Sequence, residues 1–412
     1  MRTGVALAVI LVVVFLVFTG AFTALFLGRF NLGCVSPCGS ASGDSSSTLT
    51  SSSGPASSTS ALNTTAASSP VSSTLTFGTG NDWLTDNPSL VNGSTKIDAP
   101  PNYSEFVNYT LTLINADRAS SGASPVALSS VLSGQQHADS LAYFGTIGHW
   151  DVQGYKPYMR YTLLGGQGSV AENVAFGYCT DSPINASEVS VVSCDVKTVE
   201  NSIAGMEYFM MNNDVTCCNN GHRDDILNPS HTDVSIGVAF NFSSKEVYLV
   251  EDFEDSYINS ESLQVSGNVV TLTGTTQKDM TGWTSGSSGA GIGVFYDPTP
   301  TGIPTSELTN SASCRQYSEL HEPPACQYQG GYGQGTQATT VLAPCPPLYM
   351  CDSGSQFTFA QTWQVSSGTF QVSFSLSTLE STYGPGVYTL YLYPNGDLTD
   401  PITSLSIFVS GP

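Results

Sequence analysis

Histidines and the carboxylates near them hold the densest chemistry in this chain of 412 residues: His137, His149 and His222 fall in one stretch, with His231 just beyond. The run Gly221-His222-Arg223-Asp224-Asp225-Ile226-Leu227-Asn228-Pro229 sets an imidazole, a guanidinium and two carboxylates ahead of the apolar Gly237-Val238-Ala239-Phe240. It reads as a polar loop feeding a buried strand. Two other stretches are placed to meet it, Gly148-His149-Trp150 and Ala171-Glu172-Asn173-Val174-Ala175. Glu172 lies between a glycine-rich turn (Gly165, Gly166, Gly168) and an apolar segment, where a carboxylate is costly to bury unless paired or hydrogen-bonded. Two imidazoles and one or two carboxylates converging in a groove are the ligand set of a catalytic-type zinc site, with one position open for water. The same side chains without metal make a buried ion-pair and hydrogen-bond network, and both readings stay open. His137, beside Asp139, reads as a structural hydrogen-bonding residue, and Arg223 with Asp225 as an ion pair that pins the loop. No Gly-x-Ser-x-Gly elbow and no glycine-rich phosphate loop is present.

These residues need a framework to bring them together. Apolar residues at three- and four-residue steps predict a helix over 103–120 and a second over 129–144, the latter with Val131, Leu132, Ala138, Leu141 and Ala142 on one side. Gly145 and Gly148 end it and deliver His149 just past its terminus. A third helix is predicted over 198–211, and the runs at 234–240 and 247–253 read as paired core strands. Helices interleaved with strands point to an α/β sandwich for 101–258. Beyond Tyr257 the pattern changes to period two: Phe370, Val372, Phe374 and Leu376 alternate with polar residues, and Phe357, Phe359, Trp363 and Val365 share one parity with a break at Gln361. With strands at 263–272, 292–296 and 387–393, a Pro394-Asn395-Gly396 turn and the Leu405, Ile407, Val409 alternation, this is a β-sandwich pattern for 259–412. A Gly-, Pro- and Tyr-rich insertion at 298–355 carries Cys314, Cys326, Cys345 and Cys351 and reads as a disulfide-pinned loop.

The ordered set HADSLAYFGTIGHW, AENVAFG and GHRDDILNPSHTDVSIGVAF resembles the CAP superfamily of cysteine-rich secretory, antigen 5 and plant pathogenesis-related proteins, especially its prokaryotic SCP-like branch. The likeness covers about 101–258. It implies an α-β-α sandwich with a cleft in which two histidines and two acids can hold zinc or another divalent cation. Carried onto this chain, His149 and His222 are the histidines and Glu172 is the acid of the GENxA-type motif. Glu207, in the third helix, is taken as the second acid, with Glu200 as its rival. The chain departs from the family by an insertion around Cys179 to Cys194, by the Cys217-Cys218 pair, and by lacking the usual tryptophan on that helix.

Composition sets the compartment. Charged residues make up 11% of the chain, with 11 basic against 33 acidic and a net charge of −22, which excludes nucleic acid as a partner. Residues 4–28 are 25 in a row without a charge, enough to span a bilayer core, and are read as a retained anchor. Residues 29–100, rich in Ser and Thr, read as a disordered stalk. Ten cysteines in even clusters without a CxxC pair, and glycosylation acceptors at Asn63, Asn92, Asn102, Asn108, Asn185 and Asn241, fit an exported chain. Cys218 is expected in a disulfide with Cys179 or Cys194. The expected fold class is therefore α+β, an α-β-α sandwich and an all-β sandwich behind an N-terminal transmembrane helix, in a single-pass membrane protein whose bulk is extracellular, or secreted if that helix is cleaved. Three functions remain open: a binding protein for a small or lipid-like ligand, a metal-dependent hydrolase of extracellular peptides or polymers with Glu172 or Glu207 as general base, and an adhesive surface protein acting through the β-sandwich.

Overall fold

The computed structural model describes residues 103–182, 190–215, 219–241, 244–280, 291–303, 334–344, 357–394 and 400–410. The expected anchor and stalk, the tip of the Pro394-Asn395-Gly396 turn, and all cysteines except Cys179 and Cys194 lie outside these residues. Among the described residues no helix is long and apolar enough to cross a membrane.

The first part is mixed α and β. Its sheet runs β1-β3-β4-β2, with β1 at Ala127–Leu128, β2 at Ser169–Tyr178, β3 at Asp233–Asn241 and β4 at Glu246–Asp255. β3 pairs antiparallel with β4, Val234 opposite Phe253, as their apolar runs predict. β4 also pairs with β2, which forms one edge. Helices α1 (Tyr103–Ser120), α4 (Val196–Asn212) and α5 (Gly221–Leu227) cover one face, where Phe106, Ile114, Ile203, Val238 and Leu249 are buried together. Helix α2 (Ser133–Phe144) covers the other with Ala138, Leu141, Val174 and Val250.

Local signals explain the helix ends. Asp195 caps α4 by accepting from the Thr198 N–H while the Thr198 side chain accepts from the Asp195 N–H, a reciprocal capping box. Gly145 closes α2 in the left-handed region, with φ of 63°. The α2 boundary differs from expectation: it begins at Ser133, so Val131 and Leu132 precede it, and Leu132 is 61% exposed. The start is displaced because Gly134 must lie flush on β3, where a side chain at Gly134 or Gly237 would overlap the facing backbone. The expected loop at 221–227 is instead the helix α5. A further helix, α3 (Pro157–Leu163), carries Pro at its N1 position and had no periodic signal in its seven residues.

Among the described residues, the second part is all sheet with one short helix, α6 (Ser377–Tyr383). Four strands, β5 (Ile258–Ser266), β6 (Val269–Thr276), β10 (Thr362–Ser366) and β11 (Thr369–Ser375), lie in the order β10-β11-β6-β5. Five more, β7 (Ile292–Pro298), β8 (Thr336–Leu342), β9 (Phe357–Phe359), β12 (Gly386–Leu392) and β13 (Ser404–Val409), lie in the order β13-β12-β7-β8-β9. Both sheets contribute inward side chains to one core that includes Leu272, Val294, Val372, Phe374, Leu390 and Ile407. The single strand expected at 263–272 is two, turned at Gly267 with φ of 57°. The insertion at 298–355 is not all loop, because β8 comes from it and pairs with β7 inside the five-stranded sheet.

The two parts meet at α3. Tyr155, Tyr158, Met159 and Tyr161 pack with Val387 and Phe408 on the outer face of the five-stranded sheet. Thr162 donates to the Ser404 carbonyl at 3.0 Å, and Tyr158 donates to Asp297 at 2.6 Å.

Candidate functional site

Successive side chains on a strand point to opposite faces, so Glu172 and Asn173 on β2 look in opposite directions. Glu172 lies across from Asp252 and Asn173 across from Glu251. Every other polar residue of the region belongs to one of these two faces.

On the α2 face, His149 Nδ1 donates to Glu172 Oε1 at 2.9 Å. Arg160 of α3 donates to Glu172 Oε2 at 2.6 Å, and its other terminal nitrogen donates to the carbonyls of His149 and Tyr155, both at 2.8 Å. His137 Nε2 donates to the Gly148 carbonyl at 2.8 Å and stands 3.8 Å from Glu172, which fits its expected structural role. Burial, with the Arg160 charge beside it, holds His137 well below the usual histidine range. Burial lifts Glu172 to about 7 against the pull of Arg160. Burial and the neighbouring Glu172 charge raise Asp252 far above the carboxylate range, and the two carboxyl groups interact directly. Asp151 accepts from the backbone of Gln153 and Tyr155, at 3.0 and 2.8 Å, and burial moves it up to about 6. Glu172 thus receives an imidazole N–H and a guanidinium beside the Asp252 carboxyl, and both it and His149 are 0% exposed.

On the other face, Glu207 of α4 meets Glu251 of β4. Burial, reinforced by the Glu251 charge, raises Glu207 far above the usual range. Burial also raises Glu251, while hydrogen bonds from Glu207 and Asn173 and the nearby His222 draw it back. Asn173 Nδ2 bridges Glu251 Oε2 at 3.3 Å and the His222 carbonyl at 3.1 Å. His222 Nδ1 donates to Asp214 Oδ1 at 2.7 Å, and Asp214 Oδ2 accepts from the His222 backbone at 2.9 Å. Glu200, the rival to Glu207, turns outward and pairs with Lys197 at 3.4 Å.

The four residues expected to act together therefore arrive as two pairs on opposite faces of the edge strand β2, His149 with Glu172 and His222 beside the Glu207–Glu251 couple. A single coordination shell from all four would have to close around the edge of β2. Among the described residues, no three His, Cys, Asp or Glu are grouped to hold a metal ion.

Sequence reasoning missed the two arginines that organise the region. Fully buried Arg118 of α1 donates to the carbonyls of Ser124, Ile226, Asn228 and His231, at 2.6, 2.7, 3.0 and 3.3 Å. It pins the segment after α5, the role expected of Arg223 with Asp225. Arg223 is exposed and forms no ion pair with Asp225 among the described residues. Asp225, which burial pushes up to about 7, is instead influenced by His231 and His222. His231 bonds Asp255 at 2.8 Å and stacks on Phe253 with ring centroids 5.3 Å apart. The cysteine expectation is also corrected. Cys179 is joined to Cys194, not to Cys218, because the Thr180–Val191 bridge brings the two ends of that excursion together.

No protein-family model matches the chain, and no curated protein matches it in sequence.

Proposed function

We propose that the chain is an extracellular, membrane-tethered binding protein whose CAP-like first part serves as a rigid head and performs no catalysis. The observation that carries this reading is the burial and saturation of the acid–imidazole pair: Glu172 and His149 are 0% exposed, and both Glu172 oxygens are engaged. A general base must come within hydrogen-bond reach of the proton it removes. A peptide or polymer chain does not reach Glu172 without dismantling α3. The network instead fixes the loop at 148–156 and the end of β2, the rim on which a small or lipid-like ligand or a surface polymer would rest. Helices on both faces of the sheet, together with the three ordered motifs, support the CAP likeness, and the apolar run at 4–28 with the Ser/Thr-rich stretch after it supports display at a membrane. The test is a panel of peptides and neutral and charged glycans incubated with the full chain and with Glu172→Gln. We expect no turnover from either. Hydrolysis by the full chain that Glu172→Gln abolishes would overturn the reading.

A second reading, zinc or another divalent cation held at the same place, is favoured by one observation. His149 and His222 each direct Nδ1 to a carboxylate, Glu172 and Asp214, as metal-bound histidines do to fix ring orientation. Coordination would then fall to the two Nε2 atoms. The metal would supply Lewis acidity at the edge of β2, and Glu172 and Asp214 would act as orienting residues. Stoichiometric zinc uptake lost in both His149→Ala and His222→Ala, with the fold intact, supports this reading, and uptake indifferent to them removes it.

A further inference from the structure

The outer face of the four-stranded sheet carries a regular lattice that neither network above uses. Register places Ser262, Thr273, Gln371 and Gln364 in one row across β5, β6, β11 and β10. The row on one side runs from Ser260 to Ser366 and the row on the other from Gln264 to Thr362, again with only Ser, Thr or Gln at each crossing. Three rows of four give twelve side chains with no charge, aromatic ring or aliphatic side chain among them. The inward residues of the same strands, among them Leu272, Val372 and Phe374, are in the core, with Glu261 of β5 an acidic exception on that side. Ser260 and Thr275 share a hydrogen bond at 2.8 Å, and Ser366 pairs with Thr369. Ser260, Ser262, Gln264, Gln364, Ser366, Thr369 and Gln371 are exposed, Thr271, Thr273, Thr275 and Thr362 are half-buried, and Ser373 is buried. The face lies on the opposite side of the second part from Val387 and Phe408, where α3 docks.

We propose that this face binds a neutral polysaccharide. The argument rests on charge and chemistry together. In a chain of net charge −22, the eleven of these positions that reach the surface carry neither sign, so the surface neither attracts a polyanion nor holds a polycation. It has no apolar anchor of the kind that dominates protein interfaces. It presents donors and acceptors at a fixed pitch, about 4.8 Å between strands and about 6.8 Å along them, to which a partner rich in neutral hydroxyl groups is complementary throughout. Each hydrogen bond nets only about 0.5–1.5 kcal/mol, so affinity comes from repetition along a polymer. The inference rests on the binding reading above and names its surface and ligand class.

The experiment is retention of the full chain on insoluble cellulose, chitin and starch, compared with immobilised polygalacturonate. We expect retention on at least one neutral polymer, unaffected by 0.5 M NaCl, since no ion pair is screened, and not displaced by the corresponding monosaccharide. The exposed pair Gln364→Lys and Gln371→Lys should lower retention about tenfold or more with the melting temperature unchanged. Gln371→Asn, which keeps the amide, should retain most of it. Absence of retention on every neutral polymer, retention on the acidic polymer alone, or equal retention by the lysine variant would each overturn the proposal. These outcomes leave the non-catalytic reading standing, whereas hydrolysis that depends on Glu172 would overturn that reading with this face untouched.

Discussion

Tyr158 donates its phenolic hydrogen to Asp297 at 2.6 Å, joining residues 139 positions apart, and two residues further along the same short helix Arg160 holds Glu172. Helix α3 therefore grips the second part with one side and the buried acid of the first part with the other. Lys156, 2.7 Å from the second Asp297 oxygen, completes the grip.

Asp297→Ala removes an acceptor from both Tyr158 and Lys156. We expect a loss of about 1.5–3 kcal/mol, the range for hydrogen bonds to a charged group. Calorimetry should resolve two unfolding transitions where the parent chain shows one, because the two parts no longer share α3. A single transition at the parent temperature would show that the apolar contact of Val387 and Phe408 with α3 suffices.

Arg160→Met leaves Glu172 as a buried carboxylate without its guanidinium. Removing one partner of a buried pair typically costs about 3–5 kcal/mol, whereas replacing both by apolar groups can be neutral. Urea unfolding of Arg160→Met, Glu172→Met and the double variant should therefore place the double variant above the Arg160→Met single. Strict additivity would mean the pair is not coupled.

Glu261 faces the core side of β5 opposite Gly274, and neither carboxyl oxygen has a hydrogen-bond partner among the described residues. Burial raises it to about 8. An unfolded glutamate titrates near about 4.3, so between there and about pH 8 the folded chain keeps a proton that the unfolded chain has released. Stability contributed by this group is full below the lower value and falls as pH rises to the upper one. Glu172 and Glu254, both lifted to about 7 chiefly by burial, act in the same direction. Glu261→Gln should therefore flatten the decline in urea midpoint across this window and stabilise the chain most at its alkaline end. An unchanged slope would place the carboxyl in water.

Cys179 and Cys194 close an excursion of 15 residues. On loop-closure entropy the crosslink stabilises by about 3 kcal/mol. The double substitution to serine should lower the unfolding free energy measured in urea by that order, with Asp181 and Val192, whose amides bond across the excursion, losing protection first in hydrogen exchange. Protection lost uniformly would indicate that the crosslink acts only through the unfolded chain.

Much of the frame was legible because it rests on runs of apolar residues with a clear period. Val234 to Phe240 and Val247 to Phe253 had to be buried strands, and Phe370, Val372 and Phe374 had to share a face. Boundaries failed where backbone packing overrides pattern, as at Gly134 on β3. Elements of seven residues, α3 and α5, were too short to show a period, and β8 was hidden in a compositionally biased insertion. Candidate residues were visible by type, and His149 does meet Glu172. What could not be read was the parity of β2, which sends Glu172 to one face and leaves Glu207 on the other with Glu251. Arg118 and Arg160 were passed over because most of their acceptors are backbone carbonyls, which carry no residue identity, and some lie more than 100 positions away.

Thr162 bonds to Ser404 across 242 positions, which imposes an order on synthesis. A nascent chain that has just completed β4 already has its first sheet, yet the tyrosine-bearing side of α3 has nothing to rest on until translation delivers β12 and β13. For that interval a greasy strip stays wet, and the emerging polypeptide depends on prompt elongation or a holding chaperone to keep neighbouring copies apart.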